Sequence, residues 1–189
     1  MIQSAKQGKL GGIYRANDTN ELRDALKHTP GIKYGRVLVI GPTNPWVEAC
    51  ILDAGAKEIV TLEYGAIYSK HPQLKTMIPL EFRRHFLENK LEKCDAVVTF
   101  SSVEHSGLGR FGDMLNPWGD IITIARAWCV TKDWGYLTIG VQYRDETIQF
   151  NADRRNDNVD YPYLTTNWRQ YYQGYGIQRP YVFWKDIYT

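Results

Sequence analysis

Three short apolar runs rich in β-branched residues, 36–41 (RVLVIG), 58–63 (EIVTLE) and 96–101 (AVVTFS), are separated by segments long enough for a helix. That alternation restricts the chain to an α/β architecture. The runs are continuously apolar rather than alternating, the pattern of strands buried on both faces of a parallel sheet. Between the first two, Pro45 suits a first helical turn and Glu48 puts negative charge near the positive helix end. Trp46, Val47, Cys50, Ile51 and Ala54 then recur at helical spacing until Gly55. Residues 36–63 therefore predict a β-α-β unit with a right-handed crossover.

The pattern continues with a short strand at 74–78, a helix opened by Pro79 and running to about Lys90, and the strand 96–101. A helix at 120–130, a turn at Asp133-Trp134-Gly135 and a strand at 136–141 extend it by one unit. A leading helix is expected within 15–30, capped by Asp18, Thr19 or Asn20. The aromatic-rich end predicts a helix near 164–172 and a terminal strand at 181–185, covering a sheet edge with tyrosine hydroxyls toward water. With 189 residues, 43% of them apolar, the chain reads as one domain, 1–189. It comprises an N-terminal helical extension (1–34), core βα units (36–142) and an aromatic-rich C-terminal segment (150–189).

Lys plus Arg number 23 against 21 Asp plus Glu, and no long run of like charge occurs, so a face for nucleic-acid phosphates is not expected. No stretch approaches the 18 apolar residues of a membrane span, and the first residues lack the apolar core of a signal peptide, which predicts a cytoplasmic protein without a membrane partner. Cys50, Cys94 and Cys129 lie far apart with no zinc-ligand spacing, so no metal site is expected and all three read as buried thiols.

Ligands of an open parallel α/β sheet bind beyond the carboxyl ends of its strands, which directs attention to the residues just after each run. The turn Gly41-Pro42-Thr43-Asn44-Pro45 leads to a helix N-terminus suited to an anionic group, with glycine allowing close approach. Glu63 stands 22 positions beyond Gly41, the spacing at which a carboxylate accepts hydrogen bonds from ribose hydroxyls. Residues 101–113 form the densest polar loop. In it Glu104 and His105 are candidate proton acceptors, Arg110 a clamp for an anion, and Asp113 a substrate contact. Asn151 and Arg154, after the last parallel strand, can reach a substrate over the same edge, although a self-paired polar loop is the simpler reading. Gly107, Gly109 and Gly112 spell G-x-G-x-x-G, but too far from the strand end for a dinucleotide turn.

Taken in order, VLVIG, Glu63, DAVVTFSSVEH and WGYLTIGV resemble the successive motifs of the class I S-adenosylmethionine-dependent methyltransferases. PWVEA (45–49), TLEYG (61–65), HPQL (71–74), SSVEHSGLGRFGD (101–113), NPWGD (116–120) and FN (150–151) look like a narrower, uncharacterised family, a domain of unknown function first catalogued among roundworm proteins. The resemblance implies a Rossmann-like methyltransferase fold: a mostly parallel central sheet flanked by helices in a three-layer sandwich. It also implies S-adenosylmethionine as cofactor, with Gly41, Pro42 and Thr43 at the methionine part, Glu63 at the ribose with Tyr64 beside it, and Ser101 and Ser102 in the segment next to the sulfonium. The expected activity is methyl transfer to an oxygen or nitrogen of a small polar or sugar-like acceptor, with His105 as base and Glu104 as its orienter. The alternatives are a catalytically silent nucleotide- or partner-binding module and, on the glycine motif alone, a nicotinamide-dependent oxidoreductase.

Overall fold

Each of the three β-branched runs forms a strand with a buried centre. These are β1 (Arg36–Ile40), β2 (Glu58–Leu62) and β4 (Cys94–Phe100) of a computed structural model that describes residues 1–7, 9–10, 16–145, 147–155 and 167–187. Together with β3 (Leu74–Met77), β5 (Thr131–Gln142), β8 (Trp168–Gln173) and β9 (Gln178–Lys185) they build a seven-stranded sheet in the order β3-β2-β1-β4-β5-β9-β8. The first five strands in that order pair parallel, and β9 and β8 pair antiparallel. A two-stranded ribbon, β6 (Thr147–Ile148) and β7 (Arg154–Arg155), stands apart.

Side chains alternate across the sheet and divide the interior into two layers. On one face Val37, Val39, Ile59, Ala96 and Val98 pack against Leu22 and Leu26 of α2 (Ala16–Lys27) and Val47, Cys50 and Ile51 of α3 (Trp46–Asp53). Short α1 (Ile2–Lys6) lies outside these, and Arg23 of α2 pairs with Asp53 of α3 at 2.9 Å. On the other face Leu38, Val60, Val97, Leu137 and Ile139 meet Ile124, Ala127 and Val130 of α5 (Gly119–Val130), a stripe at i, i+3 and i+6. The second helix on that face, α4 (Pro79–Leu87), has no fully buried residue, and only Phe82 packs onto the core from it. Held off in this way, α4 leaves a gap beside the sheet.

The C-terminal part departs from the sequence reading. Residues 168–172 form strand rather than helix, because β8 pairs along β9 from Trp168 opposite Lys185 to Gln173 opposite Tyr181; residues 164–166 lie outside the described residues. Trp168 is 2% exposed, so the long-range ladder and one buried indole override local helical spacing. The terminal strand does not cover an edge either. It inserts between β5 and β8, which buries Tyr181 and Phe183, and the Tyr172 hydroxyl donates to Asp24 at 2.8 Å. The turn expected at 133–135 is absorbed into β5 as a bulge opposite 94–96, with Trp134 at φ 63° stacked on Trp184.

Candidate functional site

A cavity of about 620 Å³ opens at the carboxyl ends of β1, β2 and β4 and continues into the gap between the sheet and helices α4 and α5. Its size is ordinary for a small-molecule site. The mouth is polar, carrying Thr43, Glu63, Ser101, Ser102 and His105, whereas the depth is walled by Leu38, Ile40 and Leu62 from the strands and Phe82, Ala127 and Val130 from the helices.

The mouth is shaped by two backbone features. Gly41, at φ +71°, sits where any Cβ would overlap the Ser102 side chain, so the ends of β1 and β4 approach with nothing between them. Ser101, at φ +50°, takes the left-handed conformation that a non-glycine residue seldom adopts, and its N–H is held by the Gly140 carbonyl at 2.8 Å. This bend turns the chain directly from β4 into a buried 3-10 turn, Val103–His105.

That turn sends Glu104 and His105 to different places. His105 lines the cavity, and its Nδ1 contacts the Ala152 carbonyl, which can only accept. The ring therefore carries its proton on Nδ1 when neutral and keeps the Nε2 lone pair. Phe111 packs edge-on against the ring at 5.7 Å. Glu104 is fully buried and faces β9, where Oε1 accepts from the Gln178 amide at 3.1 Å; the same amide donates to the Gly140 carbonyl. Burial pushes the Glu104 carboxyl up, against a weaker pull from His105. Glu104 is thus absent from the cavity wall, and its hydrogen bond goes to Gln178.

Glu63 is half-buried at the mouth. Its Oε1 accepts the Tyr64 N–H at 2.7 Å, and desolvation raises its pKa. Burial also raises the Tyr64 phenol, helped by the charges of Asp113 and Glu63 and opposed by Arg126, so these groups share the entrance. Asp113 accepts from the Gly107 and Phe111 N–H groups and thereby closes its own loop.

The structure brings Gly41, Thr43, Glu63, Tyr64, Ser101, Ser102, His105 and Asp113 around one cavity. It puts five other expected site residues elsewhere. Pro42 is buried and does not line the cavity, and Glu104 is buried against Gln178 of β9. Arg110 is exposed, with its guanidinium over Phe111. Asn151 is exposed in a left-handed turn, its N–H donating to the Leu108 carbonyl at 3.2 Å. Arg154 is 5% exposed and fully engaged: Nη1 reaches the Ser106 and Glu104 carbonyls, Nη2 the Pro117 and Asn116 carbonyls, and Nε lies 3.5 Å from Asp120. No donor is left for a substrate. Gly107 at φ +78° packs where a Cβ would overlap the Asn116 carbonyl, so this first glycine of the motif serves loop packing. Cys50 and Cys94 are buried, but Cys129 is exposed on the cavity wall, because α5 turns that side away from its core stripe.

Several wall residues escape a reading of strand ends. Thr123, Arg126, Ala127 and Val130 of α5 recur at i, i+3, i+4 and i+7, a face that helical spacing could have flagged. Glu48 of α3 does not line the cavity, and helical spacing gives no signal of its burial. It is 2% exposed, accepts from the Thr61 hydroxyl at 2.8 Å, and leaves Oε2 without a hydrogen bond. Burial raises it to about 7, opposed by the Thr61 hydrogen bond, with the nearby Glu63 charge adding to the rise. A carboxyl raised in the folded state binds its proton more tightly there than in the unfolded chain. Its contribution is present below the unfolded pKa near 4.5 and lost as pH rises through about 7. Glu48→Gln is therefore expected to be more stable than the parent at pH 8 by up to about 3 kcal/mol, an advantage that vanishes near pH 4. Urea unfolding of both proteins at the two pH values measures the difference; a gap independent of pH contradicts it.

The family described as Caenorhabditis protein of unknown function, DUF268, matches residues 35–176. No curated protein matches by sequence. Among solved structures, the chain is similar to Burkholderia thailandensis 1,6-didemethyltoxoflavin-N1-methyltransferase, solved with 1,6-didemethyltoxoflavin and S-adenosylhomocysteine. The TM-score is 0.64 at 12% identity, over 89% of this chain and 78% of that one. An O-methyltransferase family protein from the same organism gives 0.62 at 8% identity, over 92% and 60%. A putative methyltransferase from Escherichia coli gives 0.56 at 13% identity, over 90% and 84%. The fold is that of a Rossmann-like methyltransferase. Among the described residues no helix is long and apolar enough to cross a membrane.

Proposed function

Because the chain belongs to the family described as Caenorhabditis protein of unknown function, DUF268, and has a Rossmann-like methyltransferase fold, we propose that it transfers a methyl group from S-adenosylmethionine to an oxygen or nitrogen of a small polar or sugar-like acceptor. The observation that carries this reading is the convergence of Glu63, the strained Ser101 and His105 on one cavity at the strand carboxyl ends.

The donor set fits a nucleoside cofactor: one half-buried carboxylate and several hydroxyls at the mouth, with apolar walls behind for a base. When bound, S-adenosylmethionine supplies an electrophilic methyl on a sulfonium. Glu63 would accept hydrogen bonds from the ribose hydroxyls, with lone pairs to spare beyond the one taken by Tyr64. Gly41 and Thr43 would face the methionine part, and Ser101 and Ser102 the region of the sulfonium. His105 Nε2 would accept the proton of the attacking hydroxyl or amine, its ring orientation set by the Ala152 carbonyl. Alignment of nucleophile and methyl is worth roughly 7–11 kcal/mol of the barrier, which makes rigid walls more useful than reactive groups.

One feature favours a module that binds a nucleotide or partner without turnover. Pro45 stands as the N-cap of α3 with no side-chain cap, and Pro42 and Pro45 remove two backbone donors from the turn. Titration of the full chain with S-adenosylhomocysteine by calorimetry tests both readings. Binding is expected, weakened at least about tenfold by Glu63→Ala through loss of a charge-assisted hydrogen bond. Absence of binding, or equal binding to the variant, overturns the assignment. Binding without methyl transfer to any acceptor selects the silent module.

A further inference from the structure

The charges around the cavity are not evenly engaged. Glu63 and Asp113 both accept backbone N–H groups, whereas Arg83 of α4 and Arg126 of α5, which also line the cavity, have no hydrogen-bond or ion-pair partner among the described residues. The charged side chains of the cavity wall that make no hydrogen bond or ion pair among the described residues are therefore both cationic, while Glu63 keeps lone pairs for a hydroxyl. The two arginines stand on the two helices that wall the gap, and Arg126 lies within electrostatic reach of Tyr64 at the entrance. The same wall carries apolar surface from Phe86 of α4, Phe111 of the polar loop and Val130 of α5.

We infer that the cavity takes a small amphipathic acid, a carboxylate or phosphate on an apolar body, with the anionic group held by Arg126 and Arg83 and the body against Phe86 and Phe111. A guanidinium suits both anions because its donors form a planar fork. An aromatic or aliphatic body removes the same phenylalanine surface from water. Naming this acid as the methyl acceptor rests on the methyl-transfer reading and narrows its polar acceptor to an anionic one; the binding of the acid does not depend on that reading.

The test uses benzoate, phenyl phosphate and benzyl alcohol as probes, titrated calorimetrically into the full chain with and without S-adenosylhomocysteine. The parent is expected to bind benzoate or phenyl phosphate, the preferred one identifying the anion, at least about tenfold more tightly than the neutral alcohol. Arg126→Gln and Arg83→Gln should abolish that preference while leaving S-adenosylhomocysteine affinity unchanged, and Arg126→Lys should retain part of it. Both arginines are exposed, so thermal unfolding of the variants should match the parent and separate lost recognition from lost folding. Equal binding of the alcohol, undiminished binding of the acids to both glutamine variants, or no binding of any probe overturns the inference. Arginine-dependent acid binding without S-adenosylhomocysteine binding upholds the acid site and removes the methyl-transfer reading. The reverse result removes the acid site alone.

Discussion

Arg154→Met is expected to destabilise the protein by about 3–5 kcal/mol, since one partner of a buried pair is removed and the other is left without compensation. Asp120 is 5% exposed, burial already raises its carboxyl, and the charge of Arg154 is the main opposing influence. The substitution also frees four carbonyls, those of Glu104, Ser106, Asn116 and Pro117. For a chain of this length the loss corresponds to a drop in Tm on the order of 10 °C. Because these carbonyls belong to the turn that carries His105 and to the segment opening α5, S-adenosylhomocysteine affinity should fall with stability. Adding Asp120→Asn to the variant should recover part of the loss by removing the uncompensated charge. Thermal unfolding of the single and double variants measures both effects. A shift of less than about 1 kcal/mol for Arg154→Met would show that the loop holds without its guanidinium.

His105→Gln is expected to lower kcat by about 10²- to 10⁴-fold, the usual contribution of a positioned general base. S-adenosylhomocysteine affinity should stay within about twofold, because glutamine keeps a polar group of similar reach at the mouth. The measurement is S-adenosylhomocysteine formation with small carboxylate- or phosphate-bearing acceptors of the class inferred above. An unchanged kcat would restrict His105 to shaping the wall beside Phe111. Phe111→Leu provides the complementary comparison, since it keeps the base and removes only the edge-on ring.

The strands of the parallel core were legible because each must supply a continuous run of apolar side chains to two buried faces, and a run such as 96–101 records that locally. The strand ends were legible as the place to look for a site for the same reason, since they follow from the strands. What each end residue touches was not. Glu104 and His105 are adjacent in the chain, yet one carboxyl lies against Gln178 of β9 while the imidazole faces the cavity, and the single 3-10 turn that separates them leaves no mark in composition. Arg154 looked available for substrate in a polar loop, and its carbonyl partners lie 37–50 residues away in the chain.

By itself, the order of apolar runs, prolines and glycines determined the alternating α/β core and the position of its loops, because these are consequences of local hydrophobic period and backbone freedom. Only the tertiary structure decided that 168–173 pairs as a strand, that Cys129 faces the cavity wall, and that α4 stands away from the sheet to leave a gap. A strand's partner, a helix's standoff and a guanidinium's acceptors are set by contacts between residues distant in sequence. Their free energies belong to the assembled layers and to no single segment.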